Sequence, residues 1–365
     1  MRQMTRKMPI GNPLGIIGQD RLLQRLTRDV HEGNLSHAYI IDGKSGSGRH
    51  TIARHVAAAV ACHHRPGCKA PDQGQMGFFD DQPLLPLDEN TPIPCGVCEG
   101  CRKVLEDICP DVTVIGREGK ATLGVEPVRR IRENVHMAPG ELDTKIYIIE
   151  DAETMTAQAQ NALLLTLEEP PSYVLFLLLC NGAENLLETI RSRAPVLHTT
   201  PLSDEDIRAF LSSHHRSLPA EETEALLICA DGCAGQALRL SDPKAVKSVM
   251  KQRALVDDFM SGCAHRQSGD LPRVISQFGA KRDEVSSLLT LISLAVRDLM
   301  CLKKCETAAM KYFTDREAAL DLSSVFTSKM LLGLYGALEA AQDDLARNGN
   351  VRLVLTNMCF RAGIF

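Results

Sequence analysis

Aromatic side chains are scarce: they make up 4% of the 365 residues, and tryptophan is missing altogether. No stretch interleaves aromatic with basic side chains, and the formal net charge is -5. Both features argue against an autonomous nucleic-acid-binding module, which needs stacking platforms on a cationic groove. No apolar run reaches the roughly 18 residues required to cross a bilayer, so no membrane span is expected. The N-terminal MRQMTRKMPI is basic but lacks the apolar core of a signal peptide, so the expectation is a cytoplasmic protein with no membrane partner. The 11 histidines never fall in H-E-x-x-H spacing, which removes the helix-borne zinc hydrolases. Internal repeats are lacking too.

What remains is a chain with 44% hydrophobic residues, long enough for two or three compact domains. Thirteen cysteines are present. In a reducing compartment they read as thiols or metal ligands, so their spacing matters more than their number.

A helical pattern from Leu22 to Glu32 runs up to Gly33, and SHAYIIDG follows as a short buried strand. The glycine-rich turn Gly43 to Thr51, GKSGSGRHT, then opens an Ala-rich helix. That strand, loop and helix order places backbone N–H groups around a phosphate. Residues 63 to 94, rich in Pro, Gly, Asp and Gln, read as a surface insertion without periodicity. Beyond it the pattern predicts a helix from Cys98 to Glu106, a strand DVTVI, a helix from Val125 to His136 and an apolar strand in KIYIIED. The helix AQAQNALLLTLEE follows, stopped by Pro170 and Pro171. YVLFLLLC fits a strand buried on both faces of a parallel sheet. Alternating strands and helices imply a doubly wound α/β sheet. After Pro201 only helical patterns remain: Ser203 to Ser212, Ala220 to Cys229, a stripe through Val285, Leu288, Leu289, Ile292, Ala295, Val296 and Leu299, and a short helix from Leu353 to Met358.

IIGQDRLLQRL, SHAYIIDG, PCGVCEGC, KIYIIEDAETMT, NALLLTLEEPP and IRSRAPVL stand in the order and approximate spacing of bacterial clamp-loader subunits. The chain thus resembles the AAA+ clamp-loader family of DNA polymerase III, its gamma/tau and delta-prime members, over about residues 10 to 240. The resemblance implies a RecA-like AAA+ domain over 1–200 with a zinc module at 62–101, a small helical lid over 201–243 and an all-α collar over 244–365. It also implies a five-membered ring with gamma/tau and delta subunits, acting on a sliding clamp and primer-template DNA.

Several positions depart from the active members of that family. A working phosphate loop reads G-x-x-x-x-G-K-[ST], the lysine reaching the terminal phosphates and the hydroxyl ligating magnesium. Here Gly43, Gly46 and Gly48 keep the loop, but Arg49 and His50 occupy the last two places. Arginine is a planar fork where a point charge is needed. Imidazole is a poor ligand for a cation that prefers hard oxygens. Active members end the next motif with Asp then Glu; this chain has Glu150 then Asp151, which displaces each carboxylate by about a methylene, and shifts near 1 Å can cost about a hundredfold in rate. In ADGCAGQALRL, Gly235 stands where active members carry a phosphate-sensing arginine. Together these imply a delta-prime-type subunit that does not hydrolyse ATP and for which ATP or ADP binding is doubtful. The rival reading is an ATP-hydrolysing gamma/tau-type subunit or AAA+ motor.

Arg193, in Ser192-Arg193-Ala194, matches the family's Ser-Arg-Cys motif, with alanine in place of the cysteine. The resemblance implies a finger acting on a neighbour's ATP; the plainer alternative is a surface or ion-paired arginine. Asp42, just ahead of Gly43, reads either as an acid that repels nucleotide or as a solvated turn residue.

Cys95, Cys98 and Cys101 form C-x-x-C-x-x-C, a spacing that lets three thiolates converge on one tetrahedral zinc ion. A fourth ligand is needed. Cys62 matches the family's first ligand, with Cys68, His63 and His64 as nearby alternatives. A closed four-thiolate site implies structural Zn2+ with no open position for a substrate. The pairs Cys229/Cys233 and Cys301/Cys305 read as packing or surface thiols.

Overall fold

The computed structural model describes residues 10–66, 68, 92–214, 216, 218–265 and 270–363. Most of the insertion at 63–94 lies outside them. The chain divides into two compact units, Met1–Asp206 with Gly232–Gly235, and Ile207–Asp231 with Gln236–Phe365.

The first unit is built on five strands: β1 (Ala38–Asp42), β2 (Val112–Ile115), β3 (Lys145–Ile149), β4 (Val174–Cys180) and β5 (Val196–His198). They pair in the order β2-β3-β4-β1-β5, and every pairing is parallel. Parallel pairing demands crossovers, and the helices that supply them cover both faces. α1 (Asp20–His31), α2 (Arg49–Ala61) and α3 (Glu99–Leu105) pack on one face against Tyr39, Ile41, Ile146, Ile148, Leu175 and Leu177. α4 (Val125–Asn134), α5 (Ala157–Glu168) and α6 (Glu188–Arg191) pack on the other against Ala38, Ile40, Tyr147, Ile149, Phe176 and Leu178. The two sets alternate along each strand, as a period of two requires. All seven residues of β4 are buried, which explains why its sequence is an unbroken apolar run. The expected fold class, a doubly wound parallel sheet followed by helices, is therefore the observed one.

Local signals place the elements. Thr156 caps α5, its hydroxyl accepting the Ala159 N–H at 3.2 Å, and Pro170 and Pro171 end that helix. α4 stops at Asn134, two residues before the expected His136. Asp111, buried ahead of β2, accepts the N–H groups of Gly140, Glu141 and Leu142 at 2.7–2.9 Å and so ties the loop before β3 to the sheet.

The second unit is helical: α7 (Asp204–Ser213), α8 (Ala220–Ala230), α9 (Ala234–Leu240), α10 (Pro243–His265), α11 (Asp270–Ser276), α12 (Arg282–Lys304), α13 (Arg316–Val325), α14 (Ser328–Ala346) and α15 (Val351–Arg361). The ends of α7 and α9 fall at the division between the units. The stripe from Val285 to Leu299 is buried, packed among side chains of α10, α14 and α15. α12 is long and apolar enough by composition to cross a membrane, but that stripe gives it the burial of a core helix.

Candidate nucleotide and metal sites

In a parallel α/β sheet, ligands bind beyond the carboxyl ends of the strands. The candidate nucleotide residues lie there: Gly43, Gly46, Gly48, Arg49 and His50 follow β1, and Glu150 and Asp151 follow β3. Gly46 and Gly48 have φ of 85° and 88°, which side-chain-bearing residues rarely adopt, so the loop keeps its glycine-dependent turn into α2. Gly43 is held by close approach: a Cβ there would sit 1.9 Å from the Thr199 hydroxyl.

The side chains that would serve phosphate and metal are paired with one another. Arg49 is only 12% exposed, and its Nη2 lies 3.9 Å from Asp151 Oδ1. His50 Nε2 lies 3.5 Å from Glu150 Oε1. The strongest pairing comes from a residue the sequence patterns did not single out. Arg117, two residues past β2, donates from Nε at 3.0 Å and from Nη2 at 2.8 Å to Asp151 Oδ2. Asp151 itself has a left-handed backbone, φ 46°, which turns it out of the strand direction. Both carboxylates that would organise a metal ion are thus engaged by the chain's own cationic or imidazole groups.

Gly235 closes the loop from another side. Its N–H donates to the Gly46 carbonyl at 2.9 Å, and a Cβ at this position would meet that carbonyl oxygen at 3.0 Å. A larger residue there requires the loop to shift.

Asp42 is not a solvated turn residue. One carboxylate oxygen accepts the Gly182 N–H at 2.8 Å and the other lies 3.0 Å from His198 Nδ1, with 15% of the side chain exposed. Its role is to tie β1 to the loop after β4 and to the end of β5. Arg193 lies just beyond α6, its Nη2 2.8 Å from Glu168 Oε1 and its Nη1 donating to the Thr189 carbonyl at 2.9 Å.

The cysteine cluster forms as the spacing anticipates. The sulfurs of Cys62, Cys95, Cys98 and Cys101 all lie within 4.8 Å of one another. Thiolates around a tetrahedral zinc at about 2.3 Å would sit about 3.8 Å apart, and Cys95 and Cys101 are separated by 3.9 Å. Cys62 ends α2, Cys98 caps α3 and Cys101 lies within it. The close packing of α2 on α3 brings Cys62 to the other three cysteines: a Cβ on Gly100 would sit 2.0 Å from the Ala61 carbonyl oxygen, so only glycine lets the helices approach this far. Backbone N–H groups of His63, Cys98 and Cys101 point at cluster sulfurs over 3.3–3.5 Å. The Cys95 thiol is driven strongly down by hydrogen bonds from Cys101, then Cys62 and Cys98, which favours a thiolate there. Cys68, His63 and His64 are not among the converging ligands. The described residues fit a four-thiolate metal site.

A family model described as DNA polymerase III, delta subunit, matches residues 18–77 and 81–203, half of the chain. The chain belongs to that family. Among relatives, the DNA polymerase III subunit tau of Salmonella typhimurium is 31% identical over 231 residues, 62% of this chain and 32% of that protein. The subunit gamma of Buchnera aphidicola is 31% identical over 196 residues, 54% of this chain and 47% of that protein. The chain therefore spans about a third to a half of the length of these relatives. The solved structure of a DNA polymerase III gamma subunit-related protein from Thermotoga maritima superposes with a TM-score of 0.43 at 16% identity, covering 94% of this chain and 99% of that one.

Proposed function

We propose that this chain is a delta-prime-type subunit of the bacterial sliding-clamp loader that does not hydrolyse ATP. In this reading it joins gamma/tau and delta subunits in a five-membered ring in the cytoplasm and acts on a sliding clamp at primer-template DNA. Residues 201–243 serve as the lid and 244–365 as the collar. Arg193 reaches a neighbour's ATP as a trans-acting finger, offering bidentate donors to charge that develops on the transferring phosphate. Cys62, Cys95, Cys98 and Cys101 hold a structural zinc ion. The closed donor set supplies rigidity to the junction of α2 and α3, with no position left for a substrate.

The observation that carries the reading is the pairing of Asp151 with Arg117 and Arg49 and of Glu150 with His50. Magnesium is held through free carboxylate oxygens, a hydroxyl and phosphates. Here the hydroxyl position is His50 and the carboxylates are already engaged.

The experiment is reconstitution of the loader with wild-type chain or Arg193→Ala. The Arg193→Ala complex is expected to assemble, by gel filtration, and to hydrolyse ATP about tenfold or more slowly with clamp and primed DNA present. Wild-type turnover by that complex removes the finger. The rival, an ATP-hydrolysing gamma/tau-type subunit, draws on the retained glycines of the loop and on the tau and gamma relatives. Robust hydrolysis by the isolated chain would establish it.

A further inference from the structure

Arginine has four rotatable side-chain bonds, and a finger left free must be ordered each time it is used. Arg193 is not left free. Its guanidinium is gripped through two different nitrogens by acceptors from two elements: the carboxylate of Glu168, the last residue of α5, and the backbone carbonyl of Thr189 in α6. The neighbours of these residues are fixed, since Leu167, Ile190 and Ala194 are buried in the same core. The charged ends stay at the surface, with 33% of the Arg193 side chain and 48% of the Glu168 side chain exposed. A half-exposed ion pair adds little to folding. Its effect on the conformation of the arginine is larger, because two anchors on different nitrogens and from different elements restrict the pose of the fork while a third of the side chain remains open to solvent.

We propose that Glu168 is a positioning residue for Arg193, holding the guanidinium in the pose from which it meets a neighbouring subunit's nucleotide. The inference rests on the trans-acting role of Arg193. Glu168 touches no nucleotide in this scheme and acts only through the arginine. Pre-organisation lowers the entropic cost of reaching the transition state, so its loss is expected in kcat and not in the KM for ATP.

The test uses the reconstituted loader carrying Glu168→Ala, Glu168→Gln, Arg193→Ala and the double variant Glu168→Ala/Arg193→Ala. Assembly is followed by gel filtration and ATP hydrolysis with clamp and primed DNA. Glu168→Ala is expected to lower kcat by about tenfold with the KM for ATP unchanged, a loss within the range that displacement of a positioned group produces. Glu168→Gln keeps an oxygen acceptor and retains most of the rate. Glu168→Ala has no further effect once Arg193 is alanine. A wild-type kcat in Glu168→Ala overturns the proposal. So does a raised kcat, which would mean that the carboxylate sequesters the finger, or an equal loss in the Arg193→Ala background, which would mean a general structural role. If Arg193→Ala itself turns over at the wild-type rate, the finger reading falls and the positioning role with it. If only Glu168→Ala is silent, the finger stands and Glu168 alone is dismissed.

Discussion

Arg117 grips Asp151 with two nitrogens on one oxygen, Nε at 3.0 Å and Nη2 at 2.8 Å. The pairing joins the loop after β2 to the end of β3, and in the proposed non-hydrolysing reading it would be an obstacle to nucleotide chemistry that lies outside the phosphate loop. The isolated chain is accordingly expected to show negligible ATP turnover, and Arg49→Lys alone is expected to leave it so. His50 would still occupy the hydroxyl position, and Arg117 would still hold the carboxylate. A coupled phosphate-release assay on the wild type and on Arg49→Lys checks this; recovery in the single variant would show that Arg117 and His50 are no barrier.

The four sulfurs within 4.8 Å of one another lead to a second expectation, about one zinc ion per purified chain. Cys98→Ser removes a ligand at the N-terminus of α3 and should lower the bound zinc severalfold. Because the site joins the end of α2 to α3, chelation should also lower the melting temperature. Metal analysis that finds the same zinc content in Cys98→Ser, or none in the wild type, would refute the assignment.

Where the chain has strong periodicity, sequence reasoning met the structure. YVLFLLLC reads as a doubly buried strand because both faces of β4 are covered, and the stripe from Val285 to Leu299 reads as a helix because one face of α12 is buried. β5 escaped notice: three residues, Val196–His198, are too few to show a period, and the strand is defined by pairing with β1. Arg117 and Glu168 escaped for a different reason. Their partners lie 34 and 25 residues away, and ion pairs at that separation leave no local pattern. Cys62 could be ranked first by resemblance, but only the approach of α3 at Gly100 separates it from Cys68, His63 and His64.

His55 supplies a pH dependence. It is 1% exposed within α2, neither ring nitrogen has a hydrogen-bond partner, and burial lowers its pKa from 6.5 to about 4. The unfolded chain therefore takes up a proton near pH 6.5 that the folded chain refuses until about pH 4. Stability is full above pH 6.5 and falls as the pH drops through this window, by about 3 kcal/mol at the lower end. His37, lowered by burial as well, acts in the same direction. Urea unfolding of His55→Leu between pH 7 and 4 should give a shallower acid decline than the wild type; equal slopes would show that His55 does not contribute.

Asp298 carries the last prediction. It is fully buried on α12, and its Oδ2 accepts the backbone N–H groups of Lys311, Tyr312 and Phe313 at 2.8, 2.7 and 3.3 Å. The same turn is held a second time, the Tyr312 hydroxyl donating to Asp257 Oδ1 on α10 at 2.7 Å. Truncation at position 298 would leave three donors without this acceptor, the Tyr312 N–H buried and the other two partly buried, and a buried group left unpaired costs about 1–3 kcal/mol. Asp298→Ala should therefore destabilise the protein by about 3 kcal/mol or more. Asp298→Asn, whose amide oxygen can still accept, should cost less. Hydrogen exchange at the amides of residues 311–313 should accelerate in Asp298→Ala beyond what the global loss of stability explains, because the turn loses its main acceptor while Tyr312 still anchors its centre. Unchanged unfolding free energy and unchanged exchange at these three amides would show that the turn is held by packing around Tyr312 and not by the buried carboxylate.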